Sequence, residues 1–175
     1  MIFGVRLLPL TSEDAEQARV WRNDPRVRPG LRTTDMVTRE QQRAFAERLL
    51  ADRSSPHRYW SVVDERGLVG MAGLTDIRWA DGCAEISLLL DPDREDPETR
   101  GQAVELVLVE AFDRLRLLTV YAECYESNPA IQFWNDLAER MGAPIARLPR
   151  RKWWDGRLWD SQCYAIAVDA WRKAP

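Results

Sequence analysis

The segment CAEISLLLDPDREDPETRGQAVELVLVEAFDRLRLLTVYAEC, residues 83–124, carries the clearest change of periodicity in the chain. Cys83–Leu90 is a short apolar run closed by Asp91-Pro92, as in a buried strand. From Gly101 to Leu115, Val104, Leu108, Ala111, Phe112 and Leu115 recur at helical spacing and define one apolar face. Leu118–Cys124 is again a strand. A strand–helix–strand unit of this kind argues for an α/β fold.

Working outward, Val5–Leu10 reads as a first strand. Thr11-Ser12-Glu13-Asp14 then opens a helix with Ala15, Ala18 and Trp21 on one face. Arg26–Asp35, behind Pro25 and containing Pro29 and Gly30, has no periodicity and predicts a loop. Thr38 and Gln41 have capping-box spacing ahead of Phe45, Leu49 and Leu50, so a helix runs to about Asp52. Tyr59–Asp64 and Leu68–Ile77 flank Glu65-Arg66-Gly67 as a hairpin, and Asp81-Gly82 is a further turn. Pro129–Met141 is a helix stopped by Gly142. Ile145–Leu148 and Trp159–Val168 are closing strands on either side of Asp155-Gly156. The sum is one α/β domain over 1–175, with a mixed, twisted sheet of about six to seven strands flanked by helices.

Composition narrows the chemistry. With 175 residues, 45% apolar and 30% charged, the chain can bury a core beneath a solvated surface. A net charge of −3 gives no global basic field for nucleic acid. Cys83, Cys124 and Cys163 form no CxxC pair, which speaks against a zinc site or disulfide framework and for a reducing, cytoplasmic setting. Met1–Leu10 is broken by Arg6 and Pro9, unlike a secretory leader, and no apolar run approaches the ~20 residues of a membrane span. His57, the one histidine, is expected in a loop, so chemistry built on several histidines is excluded and no metal is expected. Carboxylates, tyrosines and backbone amides remain.

Several stretches, in order, resemble the GNAT superfamily of CoA-dependent N-acetyltransferases. They are Leu7–Leu10 with Val20-Trp21-Arg22-Asn23-Asp24-Pro25, then Ala84–Pro92, then Glu123–Trp134, then Trp153–Ser161. The resemblance implies acyl transfer from acetyl-CoA or another acyl-CoA to the amine of a small molecule or peptide. Glu85 would be the base and Tyr125 or Tyr121 the acid, since Trp134 stands where relatives carry a tyrosine. It further implies that Leu88 and Leu90 line the acyl-pantetheine arm, and that Ser127 and Asn128 lie where relatives contact the donor. As plain chemistry Leu88 and Leu90 need only be core residues, Asn128 a helix cap, and Glu85 a structural carboxylate.

One region departs from the family. Where relatives place Arg/Gln-x-x-Gly-x-Gly/Ala to hold a pyrophosphate, this chain has Glu95 at the arginine and Asp96, Glu98 and Arg100 at the glycines. Pro97 offers no N–H. Asp91, Asp93, Glu95, Asp96 and Glu98 put five carboxylates in eight residues. Arg100, Gly101, Gln102 and Ala103 are the surviving remnant of a donor-binding helix start. Two alternatives follow. A donor of another kind, aminoacyl-tRNA or a carrier-protein thioester, could use the basic–aromatic run Arg147, Arg150, Arg151, Lys152, Trp153, Trp154 and Arg157; that run reads equally as an exposed hairpin with stacked arginines. The second alternative is a non-catalytic binding protein. A monomer or homodimer is expected.

Overall fold

A computed structural model describes residues 4–52 and 54–174; Met1–Phe3, part of the N-terminal stretch read above, lie outside the described residues. Seven strands form one sheet in the order β1-β2-β3-β4-β5-β7-β6. They are β1 Arg6–Pro9, β2 Arg58–Asp64, β3 Gly67–Arg78, β4 Cys83–Leu90, β5 Thr119–Tyr125, β6 Ile145–Trp154 and β7 Arg157–Ala167. Every neighbouring pair is antiparallel except β4 and β5, the two strands joined by the crossover.

The helices are α1 Ser12–Arg22, α2 Arg39–Ala51, α3 Pro97–Val109, α4 Ile131–Met141 and α5 Val168–Lys173. Thr11 caps α1 by accepting from the Asp14 N–H at 3.1 Å. The capping box at α2 is complete: Gln41 N–H donates to Thr38 Oγ1 and Thr38 N–H to Gln41 Oε1. Gly142 ends α4 in the left-handed region, φ 61°.

Alternation along the strands sends two apolar sets to opposite faces. Leu10, Ala15 and Ala46 pack with Leu49, Tyr59 and Met71 beneath α1 and α2. The larger core joins Val62, Leu74, Ile86, Val120 and Ile166 to Val104, Leu108, Phe112 and Leu137 beneath α3 and α4.

Three departures from the sequence reading have local causes. α3 begins about one turn before the apolar stripe, because Asp96 caps it and Pro97 fits the first helical position. The β6–β7 hairpin is longer than expected. Asp155 and Gly156, φ 50° and 74°, form a tight turn whose twist suits the flanking strands, so pairing continues to Trp154↔Arg157. The last residues turn into the short α5, and Val168 belongs to it.

β4 and β5 pair only at Cys83↔Thr119, Ala84↔Val120 and Glu85↔Tyr121, and then part. β5 remains fully paired to β7, and β4 to β3. The sheet therefore splits down its middle at Glu85.

Candidate active site

The split opens a cleft of about 570 Å³, walled by β4 from Glu85 to Leu90, by Ala122–Tyr125 of β5 and by Asn128–Ala130. Asp91 N–H donates to Val69 O of β3 at 2.9 Å. In an antiparallel ladder the bonded residues alternate. Residues 89 and 87 therefore face β3, and the backbone groups of Ile86, Leu88 and Leu90 face the cleft, where no strand meets them. Leu88 and Leu90 thus offer main-chain donors and acceptors to the cleft, while their side chains pack in or against the core.

On the α1–α2 side of the sheet the cleft is rich in charge. Glu85 is 8% exposed, and its carboxylate accepts from Arg32 Nη2. Arg32 also reaches Glu123 Oε2 at 3.3 Å. Burial opposes the charge of Arg32, and its bond to Glu85, with Tyr125 beside it, outweighs that and raises its pKa. Glu123 is itself buried, accepting from Ser161 Oγ at 2.6 Å and Arg151 Nε at 3.1 Å. Burial would raise its pKa, but those two bonds prevail and lower it. Tyr125 is buried in the same wall, with Lys152 Nζ 5.0 Å from its ring centre.

Arg32 is carried by a loop that the fold pins in place. Lys152 Nζ donates to Pro29 O at 2.5 Å, Leu31 O at 2.7 Å and Arg28 O at 3.4 Å. Ser127 Oγ donates to Pro29 O at 2.7 Å. Gly30 lies so close to Asn128 that a Cβ would fall 2.6 Å from its Nδ2, so a side chain at 30 would displace the Asn128 carboxamide or the loop. The Asn128 carboxamide accepts from Ala130 N–H at 2.9 Å and shapes the turn into α4.

The basic run resolves differently from its sequence reading. Lys152, expected as an exposed cation, is 5% exposed, and burial pushes its pKa down to about 8. Arg151 is spent on Glu123, and Arg147 on Glu126 and Asp160. Arg150 sits at a bulge with φ 54°, its N–H donating to Asp160. Trp154 is half-buried beneath Arg28 and Lys152, and Arg157 lies over Trp159. Trp153 stands well out, 66% exposed. His57 lies in a loop, as its sequence context predicts, its Nδ1 accepting from Asp76 N–H.

At the far end of the cleft lie Pro92, Glu95, Arg100 and Trp134. Trp134 stacks on Tyr164 at 6.0 Å and meets Phe133 edge-on, which makes it a wall. Arg100 bonds Glu95 through Nε and Nη2 and lies 5.5 Å from the Phe133 ring centre. The other expected donor contacts are placed elsewhere. Ala103 is sealed in the core, and Gln102 holds the Gly4 and Val5 N–H groups. Gly101 has open space where a Cβ would stand, so no close approach requires the glycine. Neither these three nor Ser127 lines the cleft.

A mixed sheet split between its parallel strands, with a carboxylate at the fork, defines a class that the comparisons identify. Residues 5–143 match the acetyltransferase (GNAT) domain, and the chain belongs to that family. It is a GNAT-type acyltransferase. The chain is similar over its whole fold to the spermidine N-acetyltransferase of Vibrio cholerae in complex with CoA and spermine. The TM-score is 0.86 at 17% identity, over 97% of this chain and 99% of that one. Mutant forms of the spermidine/spermine N-acetyltransferase from the same organism superpose with a TM-score of 0.81 at 18% identity, over 97% and 96%. No curated protein sequence matches the chain. Among the described residues no helix is long and apolar enough to cross a membrane.

Sequence reasoning missed Arg32, Glu123 and Ser161. Arg32 sits in an aperiodic loop and gives no signal. Glu123 enters the sequence reading only as part of a strand, yet parity with Tyr121 and Tyr125 puts all three on one face. The same parity separates Lys152 from Arg151 and Trp153, and would have found its inward course.

Proposed function

We propose that the chain moves an acyl group from a CoA-type thioester to a small amine. The observation that carries this reading is the unpaired edge of β4. The backbone groups of Leu88 and Leu90 stand in a cleft with no strand to satisfy them. An extended arm bearing amide groups can bond there as an added strand would. The thioester carbonyl then lies near Glu85 at the fork.

In this reading the amine nitrogen forms a bond to the carbonyl carbon and gives a proton, directly or through water, to the Glu85 carboxylate. A backbone N–H of the open β4 edge polarises the carbonyl oxygen. The carbon–sulfur bond breaks, and Tyr125, buried in the cleft wall, protonates the leaving sulfur. The acceptor arrives as an ammonium and gives up a first proton to water, which frees the lone pair that attacks. Arg32 already shows that a guanidinium fits between Glu85 and Glu123, and an ammonium satisfies the same two carboxylates. The spermidine-acetylating neighbours agree with that charge. The reading does not extend to aminoacyl-tRNA or a carrier protein as donor: Lys152 is buried and Arg147 and Arg151 are paired with carboxylates of the chain, which engages three of the five cations in that run.

The test is thiol release from acetyl-CoA in the presence of a panel of amines, including spermidine and uncharged or acidic amines. Saturable release favouring cationic amines is expected, and it should fall in Glu85→Gln. Release independent of the amine, or untouched by Glu85→Gln, would refute the assignment.

A further inference from the structure

The far end of the cleft disagrees with one part of the donor. An acyl-CoA has two chemically distinct halves: a neutral pantetheine arm with two amides, and a nucleotide with a pyrophosphate. The open β4 edge suits the first. An anionic tail leaving that edge past Leu90 would run toward the start of α3, where a helix offers free N–H groups and a partial positive charge. Here those groups are already taken.

Pro97 has no N–H to give. Asp96 turns its own carboxylate onto the first turn, with Oδ1 accepting from Thr99 N–H at 2.9 Å and Oδ2 from Thr99 Oγ1 at 2.8 Å. Those bonds lower its pKa and keep it charged. The chain has placed an anion of its own where an external one would dock. Nearby cations are also engaged. Arg100 is held by Glu95 through two nitrogens. Arg94 points away to Leu68 O and Asp64, and Arg26 is shared between Asp24 and Asp93. A pyrophosphate here would meet carboxylates, and the three arginines Arg26, Arg94 and Arg100 already have partners in place.

We propose that the donor is recognised through its pantetheine arm alone, so that simple pantetheine thioesters serve this enzyme about as well as CoA thioesters. This rests on the thioester reading above and deepens it. The Glu95–Arg100 pair, beside the Asp96 cap, is the device that withholds phosphate recognition.

Calorimetric titration of the whole chain with CoA and with pantetheine tests this without knowledge of the acceptor. Dissociation constants within about threefold of each other are expected, with little dependence on salt, because no phosphate contact releases counterions. Glu95→Gln, an exposed change that frees Arg100, should tighten CoA several-fold and leave pantetheine unchanged. CoA binding 30-fold or more tighter than pantetheine would overturn the proposal while leaving the thioester reading intact. A Glu95→Gln protein that gains nothing for CoA would also overturn it. If neither compound binds to protein shown to be folded by its circular dichroism, the thioester reading itself falls.

Discussion

The two ends of the cleft handle their polar groups in opposite ways. At the β4 edge, backbone donors and acceptors are left facing the cleft because β5 has turned away. At the α3 end, Asp96 and Glu95 close the helix start and its arginine upon themselves. An unsatisfied backbone edge has much to gain from a ligand, whereas a self-capped helix start gains nothing and must be opened first. Shared ancestry gives both ends the same scaffold, and the side chains decide which end remains a binding surface. The fork between β4 and β5 is the third element, with two carboxylates bridged by one arginine.

The sharpest way to break this contrast is at the fork. Glu85→Gln should lower kcat by roughly 10²- to 10⁴-fold, the usual range for a lost general base, with CoA binding within a factor of about two. Equal loss of binding would move Glu85 from the chemistry to the scaffold. Next in size is the loop that carries Arg32. Lys152→Met leaves three backbone carbonyls without their donor and should cost about 3 kcal/mol in urea unfolding, with a raised KM for the amine. A stable variant with an unchanged KM would show that the loop needs no staple.

Glu123 sharpens the comparison through pH. Its pKa is lowered in the folded chain, so folded protein holds fewer protons on it than unfolded protein as pH falls. The stability it contributes is complete above about pH 4.5, its ordinary value, and is lost as pH drops through the lowered one. Wild type should therefore exceed Glu123→Gln in unfolding free energy at pH 7, and the gap should narrow as pH falls below 4.5 and through the lowered pKa. A gap independent of pH would mean that shape, and not charge, is what Glu123 supplies. The smallest effect is expected at Trp153. Trp153→Ala should change stability by less than about 0.5 kcal/mol and leave thiol release intact, since its ring stands in solvent.

The frame was readable because each of its signals is local. The Thr38–Gln41 box, the Val104–Leu115 stripe and the Gly142 stop each need only a few neighbouring residues; the box and the stop formed as written, while the stripe's last turn, Glu110–Arg114, widened into a π-helix. Glu85 and Tyr125 could be singled out because they lie in the quoted strand segments, and the structure brings both into one cleft. The acidic loop after β4 could be read as unsuited to phosphate, although not that Asp96 itself fills the helix start. Arg32 and Glu123 were not legible, since their meeting depends on residues 91 apart in the chain. Lys152 is misread from its neighbours: in a run of Arg-Arg-Lys-Trp-Trp its charge looks like surface, but strand parity turns it inward onto the Pro29 and Leu31 carbonyls.

The central claim is that the donor arm lies along the open edge of β4. Backbone amide exchange with and without acetyl-CoA tests it most directly. The account predicts that the Leu88 and Leu90 amides, facing the cleft, become markedly slower to exchange on binding, while those of Ser87 and Leu89, already paired to β3, change little. Binding of acetyl-CoA that leaves Leu88 and Leu90 as fast as before would place the donor elsewhere and contradict it.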